Sequence, residues 1–446
     1  MAPEDTQYLD KYTAGSDAQQ DPNRIIVVGV GGGGNNAVNH MFHQSVEHVS
    51  FVVVNTDKQA LDSSSVPNKL LIGPSTTRGR GAGNDPAIAQ AAAEESATDI
   101  AAIFNDDLDM VFVTAGMGGG TGTGAGPIVA RIAKERGLLT IGIVTIPFMF
   151  EGMRKINKAL AGAEQMSKYV DAIMIVNNER LIEIYPDFEF ERAFESADDI
   201  LSTAASSIAE IITKKGYINL DFNDVNTTLR DGGTAIIAVG YGEGEHRVTK
   251  AIQDALHSPL LKNTDVLSSK RILFNLYYSR NAKDKFRTAE AIELNEFING
   301  VEEEVDVIWG ITYDESLGDK VKFTILASGF DVTIGEKAGA FTSNAKPAAA
   351  GTIDKNIISS VYGADKVEQI EREKETQNYI ILTFNDLDDD TAIENFAKTP
   401  TFSRDKRIKA VPPAAAPAAP ASPAATSASE SISGPNVINF SAEDFN

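Results

Sequence analysis

The chain has 446 residues, 42% of them hydrophobic, and a formal net charge of −23 at neutral pH. That length supports two or three domains around a well-buried core, and the acidic excess disfavours nonspecific binding to nucleic acid or anionic lipid, so the expected partners are other proteins. Cysteine is absent, which excludes disulfides and thiolate metal sites, and the five histidines (His40, His43, His48, His246 and His257) form no zinc pattern and read as structural.

Residues 1–23 are polar, carry no apolar segment of a secretory leader and read as disordered. From Arg24 a strand–turn–helix is predicted: Ile25-Ile26-Val27-Val28 as a buried strand, Gly29 to Gly34 as a glycine turn, and a helix beginning at Asn36. Residues 51–54 are the next strand, ending at Asn55-Thr56-Asp57. A loop (77–84) and an alanine-rich helix (86–104) follow. The third strand (110–114) runs into Ala115-Gly116-Met117-Gly118-Gly119-Gly120-Thr121-Gly122-Thr123-Gly124-Ala125-Gly126, after which a helix is predicted with Pro127 in its first turn. Further strands are expected at 140–146 and 172–176. Apolar strands alternating with helices predict an α/β domain over 24–188, Rossmann-like, with a mainly parallel sheet covered on both faces.

Apolar residues then recur at Ala193, Phe194, Ala197, Ile200, Leu201, Ala204, Ile208, Ile211 and Ile212, the stripe of one long helix. About 25 residues at 1.5 Å each span roughly 37 Å, so residues 189–216 read as a rigid link between domains. Strands at 234–240, 271–277, 305–312 and 321–328, with helices at 245–257 and 288–300, predict a second, smaller α/β domain over 217–332. Residues 333–446 turn to alanine, glycine, charge and proline and read as a largely disordered tail. Two islands interrupt it: Tyr379-Ile380-Ile381-Leu382-Thr383-Phe384, and the proline–aromatic–basic cluster Thr399 to Arg407. No run reaches the ~20 apolar residues of a membrane span, so no membrane insertion is expected.

The glycine loop carries most of the chemistry. Glycines let a backbone approach phosphate oxygens, a following helix offers free N–H groups and a positive dipole, and Thr121 and Thr123 add hydroxyls. The first turn, Gly29-Val30-Gly31-Gly32-Gly33-Gly34, also satisfies G-x-G-x-x-G after a strand, and Asp57 ends the next strand as a ribose-binding acid would. A nicotinamide-dependent oxidoreductase is therefore one reading, although no His or Cys is placed to serve it. Two converging glycine loops, four consecutive glycines and the absence of GxxxxGK[ST] favour a polyphosphate held without a P-loop lysine.

Gly118-Gly119-Gly120-Thr121-Gly122-Thr123-Gly124 resembles the signature heptapeptide of the tubulin/FtsZ superfamily. Gly31-Gly32-Gly33-Gly34-Asn35-Asn36-Ala37-Val38, Asn55-Thr56-Asp57, Thr77-Arg78-Gly79-Arg80-Gly81-Ala82-Gly83, Pro147-Phe148-Met149-Phe150-Glu151-Gly152 and Asn219-Leu220-Asp221-Phe222-Asn223-Asp224-Val225 are similar to that family's segments, in family order. Asn177-Asn178-Glu179-Arg180-Leu181 and Gly240-Tyr241-Gly242-Glu243-Gly244 resemble the FtsZ of Bacteroidetes-type bacteria.

The resemblance implies a GTPase that polymerises head-to-tail into a division ring in the cytoplasm at midcell. Gly31, Gly32, Gly33, Gly34, Asn35 and Asn36, with Gly118, Gly119, Gly120, Thr121, Gly122 and Thr123, would hold the GTP or GDP phosphates, with Asp57 beside them. Glu151 and Lys155 would contact the ribose and phosphate end. Lys155 stands where the family usually has arginine, a point charge in place of a fork, and Arg154 is its neighbour. Phe194, Asn178 and Asp199 would face the guanine, whose N1–H and N2–H suit a carboxylate. Asn219, Asp221 and Asp224 would enter the nucleotide site of the next subunit and position the attacking water, with Mg²⁺ offsetting phosphate charge and no protein side chain expected as its ligand. Taken alone, two aspartates three apart are a solvated or capping pair. Thr399 to Arg407 resembles a degraded form of the family's C-terminal peptide, with Ser403 where leucine is usual and a longer stretch after it, so residues 395–409 would dock membrane-anchoring and regulatory division proteins. A non-hydrolysing filament protein is the remaining alternative, against which the intact loop at 219–224 argues.

Overall fold

The computed structural model describes residues 24–44, 46, 49–184, 190–257, 266, 269–301, 304–330, 355–363, 366 and 367. Its first half is a run of strand–helix units: β1 (Ile25–Val30), α1 (Gly31–His43), β2 (Val49–Asn55), α2 (Lys58–Ser63), β3 (Lys69–Leu71), α3 (Pro74–Thr77), α4 (Pro86–Glu95), α5 (Ala97–Ile103), β4 (Met110–Gly116), α6 (Thr121–Glu135), β5 (Leu139–Ile146), α7 (Met153–Ser167), β6 (Ala172–Asn177) and α8 (Asn178–Ile184). The six strands are parallel in the order β3-β2-β1-β4-β5-β6. β1 is buried along its whole length and β4 along all but its last residue, as unbroken apolar runs covered on both faces must be. The order reverses between β1 and β4. In a doubly wound sheet the crevice beyond the strand ends at that reversal is where ligands sit.

α9 (Phe190–Thr213) packs its stripe of Leu201, Ala204, Ala205, Ile208, Ala209 and Ile211 into one core with Met110, Phe112, Ile141 and Ile143 of the sheet and with Leu273 and Leu326 of the second half. The side chains of Ala193 and Phe194 lie outside the described residues. The second half comprises β7 (Gly216–Ile218), α10 (Phe222–Leu229), β8 (Gly233–Gly242), α11 (Arg247–Leu256), β9 (Arg271–Tyr278), α12 (Thr288–Asn299), β10 (Asp306–Tyr313) and β11 (Val321–Phe330). Its strands follow the order β8-β11-β9-β10-β7, mostly antiparallel, with only β9 and β10 parallel. Val248, Ala251 and Ile252 of α11 and Leu294 of α12 close on Phe274 and Phe323 to make a second core.

The halves share one ladder, because Ala172 and Ile173 of β6 pair with Gly233 and Thr234 of β8. Beside that seam Asp171, its side chain fully buried, accepts from Lys134 Nζ at 2.5 Å and from the Thr140 amide at 3.0 Å, and pairs with Arg230 at 3.3 Å. One carboxylate thus ties the last turn of α6 to the C-cap of α10. Its burial is tolerable because cations and a backbone donor surround it.

The structure corrects several boundaries. α1 and α6 begin at Gly31 and Thr121, inside the glycine runs, and Pro127 is the seventh residue of α6 rather than a first-turn residue. Glycine disfavours helix by about 1 kcal/mol per residue, but close packing outweighs propensity here. The helix predicted over 86–104 is two, broken at Ser96, whose hydroxyl accepts from the Gly73 amide at 3.0 Å. β3, β7, α2, α3, α8 and α10 are too short to show a period in the sequence. A further helix, α13 (Lys355–Tyr362), lies within the stretch expected to be tail. Residues 1–23, the islands at 379–384 and 399–407, and the docking segment 395–409 lie outside the described residues.

Candidate functional site

The two glycine segments meet at the reversal of strand order. β1 turns into α1 at Gly31 (φ +73°), and β4 turns toward α6 through Gly118 (φ +102°), backbone conformations that suit glycine. Most of these glycines serve the approach of one segment to the other. A Cβ on Gly34 would lie 2.3 Å from the Thr114 carbonyl oxygen, and one on Gly31 would lie 2.7 Å from the Gly122 nitrogen. Gly32 and Gly119 face open space instead. The N-termini of α1 and α6 therefore converge, neither with a side-chain cap nor an acid in its first turn. Two sets of unpaired N–H groups and two positive dipole ends point at one place, which is an anion site by construction.

A cleft of about 350 Å³ opens there. Of the expected residues it is lined by Gly32, Gly33, Asn36, Gly119, Gly120, Thr121, Gly122, Glu151, Lys155 and Asn178, joined by Gly116, Met117, Thr145, Pro147, Ala197 and Asp198. Thr121 Oγ1 is held 2.8 Å from Thr56 Oγ1. Glu151 accepts from the Phe148 amide at 2.9 Å through one carboxylate oxygen and pairs through the other with Lys155, one helical turn on. The buried Oδ1 of Asn178 has no hydrogen-bond partner among the described residues, and leaving such an atom unpaired costs about 1–3 kcal/mol. Burial, then the like charges of Asp199 and Glu195, push the Asp198 carboxyl up to about 7. At one wall, then, stand an unpaired amide oxygen and an easily protonated carboxyl. Both ask for hydrogen-bond donors from a ligand.

Several expected residues do other work. Gly31, Gly34 and Gly118 shape the turns. Asn35, its amide oriented to satisfy its surroundings, donates to the carbonyls of Gly29 at 2.8 Å and Gly31 at 3.1 Å. Thr123 Oγ1 accepts from the Gly118 amide at 2.9 Å and its side chain lines a different cavity, between α4 and α7. Asp57 caps α2, its Oδ1 accepting from the Gln59 and Ala60 amides, and it does not line the cleft, so the ribose-binding acid of the dinucleotide reading is not at the site and that reading is not supported. Asp199 does not line the cleft: its carboxylate pairs with His40 at 2.7 Å, and its neighbour Asp198 faces the site. Arg154 is exposed and also outside the lining.

Asn219, Asp221 and Asp224 are outside the cleft as well. Asp221 Oδ1 accepts from the Asn223 amide at 2.7 Å and the Asp224 amide at 3.2 Å, and Asp224 Oδ2 accepts from the Asp221 amide at 2.8 Å, a capping box for α10. Asn219 Oδ1 accepts from the Gly216 amide at 2.7 Å. Among the described residues no group of three or more His, Cys, Asp or Glu could hold a metal ion, and no helix is long and apolar enough to cross a membrane.

Residues 24–186 match the GTPase-domain model of the tubulin/FtsZ family, and residues 233–331 match the C-terminal-domain model of the FtsZ family. The chain is 49% identical over 394 residues to the cell division protein FtsZ of Porphyromonas gingivalis, covering 85% of each chain. It is 41% identical over 307 residues to cell division protein FtsZ 1 of Thermococcus kodakarensis, covering 69% of this chain and 80% of that one. Among solved structures it is similar to an empty FtsZ dimer of M. jannaschii, with 38% identity, a TM-score of 0.63 and coverage of 74% of this chain and 93% of that one.

Proposed function

The chain belongs to the FtsZ family of cell-division GTPases, and from that premise we propose that it binds GTP between β1 and β4, hydrolyses it across a head-to-tail contact between two copies, and builds the filament of a division ring at midcell. In this reading the free N–H groups at the starts of α1 and α6 hold the phosphates, with Lys155 as the nearby cation. Glu151 takes the ribose. Asn178 and Asp198 take the guanine, the carboxylate accepting from N1–H and N2–H, a donor pair that adenine does not offer. Residues 24–188 bind the nucleotide, 189–216 link, and 217–332 deliver the catalytic loop.

The head-to-tail contact is supported by one observation above the rest: Asp198 lines the cleft, whereas Asp221 and Asp224 lie beyond the far end of the same helix. From Asp198 to Thr213 α9 advances about 22 Å at 1.5 Å per residue, and the loop follows β7 after that. The loop of one copy therefore serves the cleft of another, and a contact between unlike surfaces that does not close propagates as a filament. At that junction the second carboxylate oxygens of Asp221 and Asp224 would orient a water. Its oxygen attacks the γ-phosphorus, the bond to the β–γ bridging oxygen breaks, and GDP and phosphate leave. Mg²⁺ would neutralise phosphate charge. No protein side chain is expected as its ligand, and Thr121 and Thr145 are the hydroxyl-bearing residues of the cleft lining beside which it would lie.

Light scattering with GTP, GDP and ATP, alongside phosphate release measured against protein concentration, tests this. Assembly with GTP alone and a specific activity that rises above a concentration threshold are expected. Activity per molecule that is constant on dilution would refute the shared site. We further propose that residues 395–409 dock membrane-anchoring and regulatory division proteins, on the resemblance of the cluster at 399–407 to the family's terminal peptide.

A further inference from the structure

The helix α13 returns to the first half of the fold and grips one wall of the cleft. Ile358 and Tyr362 are buried, and the Tyr362 hydroxyl donates to the Pro147 carbonyl at 2.7 Å. Asn177, the last residue of β6, donates from Nδ2 to the Val361 carbonyl at 2.9 Å, which seats the helix end against the sheet. Lys366 Nζ lies 3.0 Å from Glu179 Oε1, while Glu179 Oε2 accepts from the Met149 amide at 2.9 Å. The segment from Pro147 to Glu151 is thus held twice, at its first carbonyl by Tyr362 and at its third amide through Glu179. Both ends of that segment, Pro147 and Glu151, line the cleft. Burial and the nearby charges of Glu179 and Glu151 hold the Tyr362 phenol above its ordinary range, so it stays an O–H donor at any working pH.

We infer that α13 and Lys366 are a positioning strap for the ribose-side wall of the nucleotide cleft, and that strap docking and nucleotide binding favour each other. The inference rests on the nucleotide reading above. A side chain that fixes a carbonyl at the start of a five-residue segment fixes the carboxylate at its end, because the Phe148 amide already binds Glu151. Linkage makes the effect reciprocal: whatever affinity the docked strap adds for nucleotide, nucleotide adds for the docked strap.

The test uses the full chain with Tyr362→Phe, which keeps the ring and removes the donor, and Lys366→Gln, which keeps the stem and removes the charge. A fluorescent GDP analogue is titrated into each, and hydrogen exchange of residues 355–363 is followed with and without GDP. We expect each variant to bind about fivefold more weakly, with an unfolding temperature within a few degrees of wild type. GDP should slow exchange in the strap of the wild type and do so less in Tyr362→Phe. If the wild type binds and both variants bind equally well, with strap exchange indifferent to GDP, the strap is packing alone and the inference falls. If the wild type itself does not bind the analogue, the nucleotide reading falls with it.

Discussion

Replacing Asp198 separates guanine recognition from every other use of the cleft. A carboxylate accepts from N1–H and N2–H only when ionised, and in the ligand-free protein this one titrates near 7 because of burial and its acidic neighbours. Apparent affinity is divided by 1 + 10^(pKa − pH), a factor of about 1.1 at pH 8 and about 11 at pH 6, so GDP should bind roughly tenfold more weakly at the lower pH. GDP's own phosphate titrates in the same window, and Asp198→Asn supplies the correction because that contribution is common to both proteins. The variant should lose about a hundredfold in affinity at pH 8, two charge-assisted hydrogen bonds at ~1.5 kcal/mol each being replaced by one acceptor and one misplaced donor. It should also prefer a xanthine nucleotide, whose C2 carbonyl matches the new amide. The ratio of wild-type to variant affinity, measured by titration calorimetry from pH 6 to 8, is the decisive quantity. A flat ratio would refute the assignment. Stability carries the opposite sign: the folded carboxyl binds its proton more tightly than the unfolded one, so ligand-free wild type loses stability as pH rises from about 4 through 7, and Asp198→Asn should gain on it across that window. At pH 8, where Asp198 is ionised with or without its neighbour's charge, Asp199→Asn, one residue on and paired with His40, should change GDP affinity less than twofold.

Two glycines of the same loop should part company. A Cβ on Gly124 would sit 2.0 Å from the Pro86 carbonyl oxygen, so Gly124→Ala pushes α4 off α6 and should cost about 1–3 kcal/mol in chemical denaturation, whereas Gly119→Ala, with open space around it, should leave stability unchanged and weaken nucleotide binding. Asp224→Asn keeps an acceptor for the Asp221 amide and so should fold, bind GTP and assemble, yet lose at least about a hundredfold in phosphate release. Mixing it with an equal amount of Asp198→Asn should restore turnover at about a quarter of the junctions, those where one variant supplies the cleft and the other the loop. No rescue on mixing would count against catalysis in trans. Deleting residues 395–409 should leave assembly by light scattering intact while abolishing capture of division-ring partners. Unchanged capture would reject the docking role.

The parallel strands were legible because burial on both faces writes an unbroken apolar run, as in Ile25 to Val28 and Met110 to Thr114. Helix starts were not. Gly31 and Thr121 open helices inside glycine runs, and what stabilises those turns is contact between segments some 90 residues apart, which no local propensity encodes. That Asp198 lines the cleft where Asp199 was expected has a trace in the sequence. From Phe194, four residues on a helix return to within about 40° of the same face, whereas five land about 140° away. Asp198 is the residue that shares a register with the expected guanine-facing Phe194. α13 was hidden for another reason: its eight residues lie among alanine, glycine and charge, and its partners, Asn177 and Pro147, are 184 and 215 residues from the groups they bond.

Asp221 and Asp224 join two readings that the sequence set against each other. A capping pair and a catalytic pair call for the same local geometry, since the cap spends one oxygen of each carboxylate on the start of α10 and leaves the other. A loop fixed in this way would not have to be ordered when a second copy arrives, and in the proposed mechanism its carboxylates would be pre-organised where charge develops. At the other end of α10, Arg230 rests on buried Asp171, which also holds Lys134 in the last turn of α6. The helix whose start faces the cleft is therefore tied, at its end and through Asp171, to the helix that carries the carboxylates. In the proposed mechanism the glycine loop and the loop at 219–224 would thus be tied within each subunit through one buried carboxylate, and a filament that stacks one on the other would repeat the complete site at every junction.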